Sequence, residues 1–228
     1  MTEMEITVPE EVAVMTLPNT AFFPQALMPL HIFEPRYRAM LRDVLASNRL
    51  FAVAGLNPRQ MSLKGAFEPP HRVASLGIVR ACQKNDDGTS NLLLQGLCRV
   101  RIVDILADSP YRRARIEALA SETGGTAEQN EGLRKEVARL LGTKAKLMRE
   151  EPGEMMNFLR TVHDPEAFID IAAFSLCNNS ALKQKLLETL DVRLRLQLFG
   201  AQLKTEIQAL KLQRKVQGQL PDERVQDN

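Results

Sequence analysis

The side chains able to do chemistry are few in this chain and far apart. The histidines are His31, His71 and His163, and none stands in an HExxH or GxSxG setting. A zinc peptidase needs two imidazoles one helical turn apart with a carboxylate beside them, and a serine hydrolase needs a strained strand-to-helix turn that exposes its hydroxyl. The cysteines, Cys82, Cys98 and Cys177, are odd in number and show no CxxC or Cys/His spacing. Free thiols in a reducing compartment are therefore expected, not a zinc site or a disulfide framework. Asp86 and Asp87 belong to Asn85-Asp86-Asp87-Gly88, a run whose residue types are those of a hairpin turn. No Gly-Lys dipeptide occurs, so the GxxxxGK[ST] loop that cradles nucleotide phosphates is absent from these 228 residues. No catalytic residue, metal site or cofactor is expected.

What remains is the chemistry of binding. Phe22, Phe23, Pro24 and Met28 could form an apolar surface, and unfolded polypeptides expose the aromatic and aliphatic side chains that such a surface takes. Each phenylalanine also reads as a core residue. Glu34, Arg36 and Tyr37 bring one charge of each sign and a phenol to a strand-to-helix junction. They could meet a partner, or hold the junction with Glu34 capping the helix and pairing with Arg36. A second group is basic. Arg99 and Arg101 share one strand face, and Arg113 and Arg115 share a face of the next strand. Paired, the two strands would carry a basic stripe able to meet phosphates. No aromatic residue is interleaved to stack bases, and a salt-bridged, solvated sheet face accounts for the same residues.

These candidates are positioned by two kinds of periodicity. Strand character runs through 12–17, 28–33, 50–54, 73–84, 91–95, 98–106 and 112–119, with Gly77 as an expected bulge and Gly96 as an interruption. In the second strand Met28, Leu30 and Ile32 alternate with Pro29, His31 and Phe33, and Pro29, which lacks an N–H, places that strand at an edge or bulge. Pro35 opens a helix with Tyr37, Met40, Leu41, Val44 and Leu45 on one stripe. Residues 55–72 form a long loop. After the polar, glycine-containing segment 121–126 the period changes from 2 to 3.6. Leu133, Val137, Leu140 and Leu141 mark one helix, Asp164-Pro165 opens another, and Ser180 caps a short one. Asp191 precedes the longest, whose stripe runs Val192, Leu196, Phe199, Leu203, Ile207, Leu210. The expected organisation is α+β: a β-rich domain at 1–120 forming a small barrel or bent sheet with one helix, a linker at 121–126, a helical bundle at 127–216 ending in a long helix, and a disordered tail at 217–228. The net charge of +2, 44% hydrophobic and 25% charged residues suit a globular protein and do not by themselves call for nucleic acid. The opening MTEMEITVPEEV lacks the apolar core of a signal peptide, and no apolar run approaches the ~18 residues needed to span a bilayer, so a cytoplasmic location is expected.

The opening stretch resembles the N-terminal substrate-binding domain of Lon-type ATP-dependent proteases. That family shows a leucine-proline-leucine strand, a phenylalanine-proline-glycine turn, a second leucine-proline-leucine, and then isoleucine-phenylalanine-glutamate-proline-arginine-tyrosine. The corresponding residues here are Leu17-Pro18, Phe23-Pro24, Met28-Pro29-Leu30 and Ile32-Phe33-Glu34-Pro35-Arg36-Tyr37. Asn19 stands where a third apolar residue is usual and Gln25 where glycine is usual, so the turn geometry departs from the pattern. Ser75-Leu76-Gly77-Ile78-Val79, Asp86-Asp87-Gly88, Leu94-Gln95-Gly96-Leu97-Cys98-Arg99-Val100 and Asp164-Pro165 continue the resemblance in order, over about 12–216. It implies a PUA-like β pseudobarrel followed by a helical bundle, and a free-standing recognition module without the ATPase and peptidase of the proteases. The resulting expectation is a non-catalytic protein that captures exposed apolar segments of unfolded or partly folded polypeptide through Phe22, Phe23, Pro24, Met28, Glu34, Arg36 and Tyr37, with a protease as a candidate partner and no membrane. The alternative is a nucleic-acid or small-ligand binder using Arg99, Arg101, Arg113 and Arg115 on a PUA-like barrel. A subunit that dimerises through the Val192 to Leu210 stripe is a third reading, although packing within the bundle explains that stripe as well.

Overall fold

The computed structural model describes residues 7–61, 67–149 and 153–217. The tail expected to be disordered lies outside these residues beyond Gln217, as do the first six residues. Six strands, β1 (Glu11–Leu17), β2 (Leu27–Ile32), β3 (Leu50–Gly55), β4 (Val73–Lys84), β5 (Ser90–Ala107) and β6 (Arg113–Leu119), form one sheet in the order β2-β5-β4-β3-β1-β6. An additional β5–β6 pairing closes all but β2 into a ring. The ring is possible because β5 is 18 residues long: its first part pairs with β2 and its second part with β6. Alternate residues of the five ring strands fill the interior, Val12 and Val14, Leu50, Ala52 and Ala54, Ala74 and Leu76, Val100 and Ile102, Ala114 and Ile116. The alanines let strands close tightly around the larger aliphatic side chains. β3 is buried along its whole length, so its sequence is a continuous apolar run instead of an alternation.

Two expected strands, 91–95 and 98–106, are one. Gly96 does not break β5. It marks the point where Phe23 crosses it, and a Cβ on Gly96 would collide with the Phe23 carbonyl oxygen. The register of β4 against β5 shifts between Leu76 and Gly77, the expected bulge. The two departures from the family pattern have a backbone counterpart: Asn19 and Gln25 both adopt left-handed φ, +51° and +63°. Asparagine tolerates that region, and glycine is its usual occupant at the second site.

Helix α1 (Pro35–Leu45) begins with Pro35 and buries Tyr37, Met40, Leu41 and Val44. Glu34 makes no side-chain capping bond, so its expected capping role is not seen. Beyond the sheet lie α2 (Ala127–Met148), α3 (Glu154–Thr161), α4 (Pro165–Leu176), α5 (Ser180–Glu188) and α6 (Val192–Gln217). Asn179, not Ser180, caps α5, accepting from the Leu182 N–H at 3.0 Å.

The chain groups into two compact units, Met1–Glu122 with Ile169–Asp191, and Thr123–Phe168 with Val192–Asn228. The first adds α5 and most of α4 to the sheet, where the change of period alone assigned them to the helical half. In that unit Phe22 meets Phe174 edge-on at 6.1 Å, Gln184 donates to Val73 O at 3.2 Å, and Glu122 N–H donates to Leu190 O at 3.0 Å. In the second unit α2 packs along α6. Val137, Leu140 and Leu141 are buried, as are Val192, Leu196, Phe199, Leu203 and Ile207. Thr126 and Gln129 form a reciprocal capping box at the start of α2, and Lys144–Glu206 and Lys204–Glu136, both 2.7 Å, join the two helices. Most of the α6 stripe is thus covered within this unit.

The close approach at Gly96 makes a direct prediction. Gly96→Ala should destabilise the protein by more than ~1 kcal/mol, because backbone and not a flexible side chain occupies the space. Urea unfolding followed by circular dichroism measures it.

Candidate polypeptide-binding surface

The turn after β1 does not present an apolar surface. Phe22 and Phe23 are completely buried, Pro24 is buried, and Met28 is 7% exposed. The sequence expectation for these four is corrected for a simple reason: the turn folds inward over β4 and β5. Ser75 Oγ donates to Phe22 O at 2.6 Å, Gly77 lies under the Phe22 ring, and the Phe23 backbone rests on Gly96.

Glu34, Arg36 and Tyr37 are brought together, but they are bound to their own fold. Arg36 pairs with Glu34 at 2.8 Å and with Glu68 at 2.6 Å, and its guanidinium lies 4.5 Å from the Tyr37 ring centroid and 5.5 Å from that of Phe67. Glu68, ahead of the other contacts, holds the Arg36 guanidinium even more firmly protonated than usual. Tyr37 reaches across to Thr16, donating to its carbonyl at 3.2 Å and accepting from its N–H at 3.3 Å; burial raises its phenol above the ordinary value. Arg112 completes the cluster by donating to Thr16 Oγ1 (3.0 Å), Phe67 O and Glu68 O (both 2.6 Å). The group ties the end of the long loop to β1 and α1.

The four arginines do not form a free basic stripe. Arg99 is 2% exposed; its Nη1 and Nη2 donate to Asp170 Oδ2 and Oδ1, both at 2.7 Å, and its Nε donates to Leu187 O at 3.0 Å. The other three are exposed and each faces a carboxylate: Arg101 with Glu117 at 3.5 Å, Arg113 with Glu11 at 2.9 Å, and Arg115 with Asp104. A phosphate would have to displace these partners. The sequence signal for Arg99 was its future partner: Asp170 is the lone acid in the otherwise apolar stretch Phe168-Ile169-Asp170-Ile171-Ala172-Ala173-Phe174.

The open apolar surface is on the other face of β2. Leu27, Pro29, His31 and Phe33 are all exposed, Leu27 at 52% and Phe33 at 60%, while Met28 and Ile32 point inward. Register places Pro29 beside Leu93 of β5 and Ala81 of β4, and His31 beside Asn91 and Gln83. Polar contacts hold the frame: Arg80 donates to Gln95 at 2.6 Å, His31 Nδ1 lies 2.7 Å from Asn91 Oδ1, and the His31 ring stacks on Phe33 at 6.0 Å. No acidic side chain takes part in these contacts. β2 also stands at the open end of the sheet order. The Gly96 N–H donates to Ala26 O at 2.9 Å. Counting by twos from that pair, residues 28, 30 and 32 bond toward β5, and the backbones of Leu27, Pro29 and His31 point away from it. Pro29 sits where a missing N–H costs the ladder nothing. Sequence reading found the edge strand and its alternation; of the candidate binding residues it named, only Met28 lies in β2, and it faces inward.

The remaining chemical groups stay separate. Among the described residues, no group of three or more His, Cys, Asp or Glu could hold a metal ion. Cys98 is half-buried, which raises its thiol above the ordinary value, and Cys177 is buried. His71 lies 3.6 Å from Glu188, yet burial outweighs that carboxylate and lowers its pKa below 6.5. No helix among the described residues is long and apolar enough to cross a membrane.

The family described as the ATP-dependent protease La (LON) substrate-binding domain matches residues 11–205. The chain belongs to the Lon substrate-binding domain family. It is 28% identical over 217 residues to a Lon protease of Desulfosudis oleivorans and 28% identical over 221 residues to that of Dictyoglomus thermophilum, matches that cover 94% and 95% of this chain but 26% and 27% of those proteins. The chain thus spans about a quarter of the length of these Lon relatives. Two solved structures share its fold: the N-terminal domain of a Mycobacterium avium complex Lon protease (TM-score 0.65, 20% identity, 85% of this chain and 98% of that one) and a Lon N-terminal domain protein from Xanthomonas campestris (0.61, 16%, 84% and 97%).

Two measurements follow from this geometry. Asp170→Ala should cost ~3–5 kcal/mol in chemical unfolding, because it removes the bidentate carboxylate from a buried guanidinium. In an NMR titration the His71 ring should protonate below pH 6.5. Its protonated form is disfavoured by folding, so its contribution to stability is present above that pH and is lost as pH falls.

Proposed function

We propose that this Lon-family domain is a non-catalytic binding module for extended, apolar polypeptide segments, and that the segment lies along β2. The observation that carries the reading is the exposed row Leu27 and Pro29 of β2 with Phe33 just beyond it, on a strand whose outer backbone edge has no neighbouring strand among the described residues. An unfolded segment brings what such an edge lacks: backbone donors and acceptors at strand spacing, with apolar side chains on alternate positions. Backbone bonding is indifferent to sequence, and the apolar row supplies the preference for exposed hydrophobic stretches. The family's name and the Lon relatives support polypeptide as the class of ligand. Unfolding and cleavage are then the work of an ATP-driven protease that receives the bound segment.

The test is a double substitution, Leu27→Ser with Phe33→Ser, both at exposed positions that leave the core untouched. Affinity for a fluorescent, permanently unfolded polypeptide, read by anisotropy, should fall at least tenfold while the unfolding midpoint stays unchanged. It should also survive high salt, since apolar capture is not screened. Undiminished binding by the folded double variant would remove the β2 surface as the site.

A further inference from the structure

On the opposite face of the same strands lies a second feature that the β2 reading leaves unused. Between α1 and the β4–β5 hairpin is a cleft of about 560 Å³. Its apolar lining includes Leu41, Leu45 and the half-buried free thiol of Cys82, and three cations stand around it, Arg38, Arg42 and Lys84. The volume lies in the ~300–1,000 Å³ range of pockets that bury a small ligand or an anchoring side chain. No acidic residue lines it. Two carboxylates next to lining residues have partners of their own: Asp43 accepts from Tyr111 Oη at 3.0 Å and pairs with Arg42 at 3.2 Å, and Asp87, which also feels the Arg38 charge, accepts from Thr89 N–H and Oγ1 at 2.9 and 2.7 Å. Gly88, at φ +80°, leaves the space that the Arg38 guanidinium occupies, and a Cβ there would collide with it. The hairpin glycine thus serves to lay a cation across the mouth of an apolar cleft.

We propose that this cleft is an anchor site for a peptide segment in which a large apolar side chain is flanked by aspartate or glutamate. Apolar walls take the side chain, and Arg38 and Lys84 on the lining meet the carboxylates. The proposal rests on the polypeptide-binding reading above and adds a preference to it: among unfolded segments, acidic ones are retained better than basic ones.

The test uses two labelled peptides with the same apolar centre, one flanked by glutamates and one by lysines, against the wild-type protein and the surface double variant Arg38→Glu, Lys84→Glu. The glutamate peptide should bind wild type at least tenfold more tightly, the preference should shrink at high salt and reverse in the double variant, and the peptide should slow maleimide labelling of Cys82, located by mass mapping. Equal affinity for the two peptides, with both lost in Leu27→Ser, Phe33→Ser, would overturn this proposal and leave the β2 site standing. Binding of neither peptide would overturn both. A Cys82 labelling rate unchanged by bound glutamate peptide, or binding of RNA or anionic vesicles in place of the peptide, would also overturn it.

Discussion

The sheet-containing unit depends on one buried ion pair. Arg99 on β5 and Asp170 on α4 meet bidentately at 2.7 Å, each side chain 1% exposed, and Arg99 Nε also donates to the Leu187 carbonyl of α5. Charges removed from water this thoroughly are tolerated only when their hydrogen bonds are met. The pair therefore fixes where α4 and α5 lie on β5, and it explains why a helix stretch from late in the chain belongs to a unit built mainly from its first half. Phe22 against Phe174 and Gln184 on Val73 follow from the same placement.

The family signature divides its labour around this frame. Ile32 is core, Pro35 starts α1, and Glu34, Arg36 and Tyr37 anchor the end of the long loop through Glu68 and Thr16. Phe33 is the exception: it is 60% exposed and touches the His31 ring. A large aromatic side chain left in water inside a run of structural residues is what the binding proposal explains. The alternation in β2 has the same logic. Its inward set, Met28 and Ile32, seals the sheet, and its outward set includes Leu27 and Phe33 where a solvated face would carry polar groups.

Much of the fold was legible from local chemistry. Pro29 marked an edge strand because it cannot donate to a ladder, Asn85-Asp86-Asp87-Gly88 marked the hairpin, and Asp164-Pro165 marked the start of α4, where Asp164 accepts from the Ala167 N–H at 2.7 Å. Two misreadings were local, the caps of α1 and α5; the larger ones were non-local. Gly96 looked like a break because nothing in its neighbourhood shows that Phe23 crosses there. Arg99 looked like one of four surface arginines because its partner lies 71 residues away. Phe22 and Phe23 read either as core or as an accessible apolar surface, and nothing in the Pro-rich turn itself shows that it folds back under Ser75 and Gly77. Periodicity gives the two faces of β2 but not which of them is covered; that depends on strands and helices far along the chain.

The most direct measurement is amide hydrogen exchange across β2 with and without a permanently unfolded polypeptide. If a captured segment adds to the open edge, the Leu27 and His31 N–H groups, which point away from β5, should become protected on binding, while Met28, Leu30 and Ile32, already bonded to β5, should change little. Saturable binding with no new protection at Leu27 and His31 would contradict strand addition at this edge and move the site elsewhere on the domain.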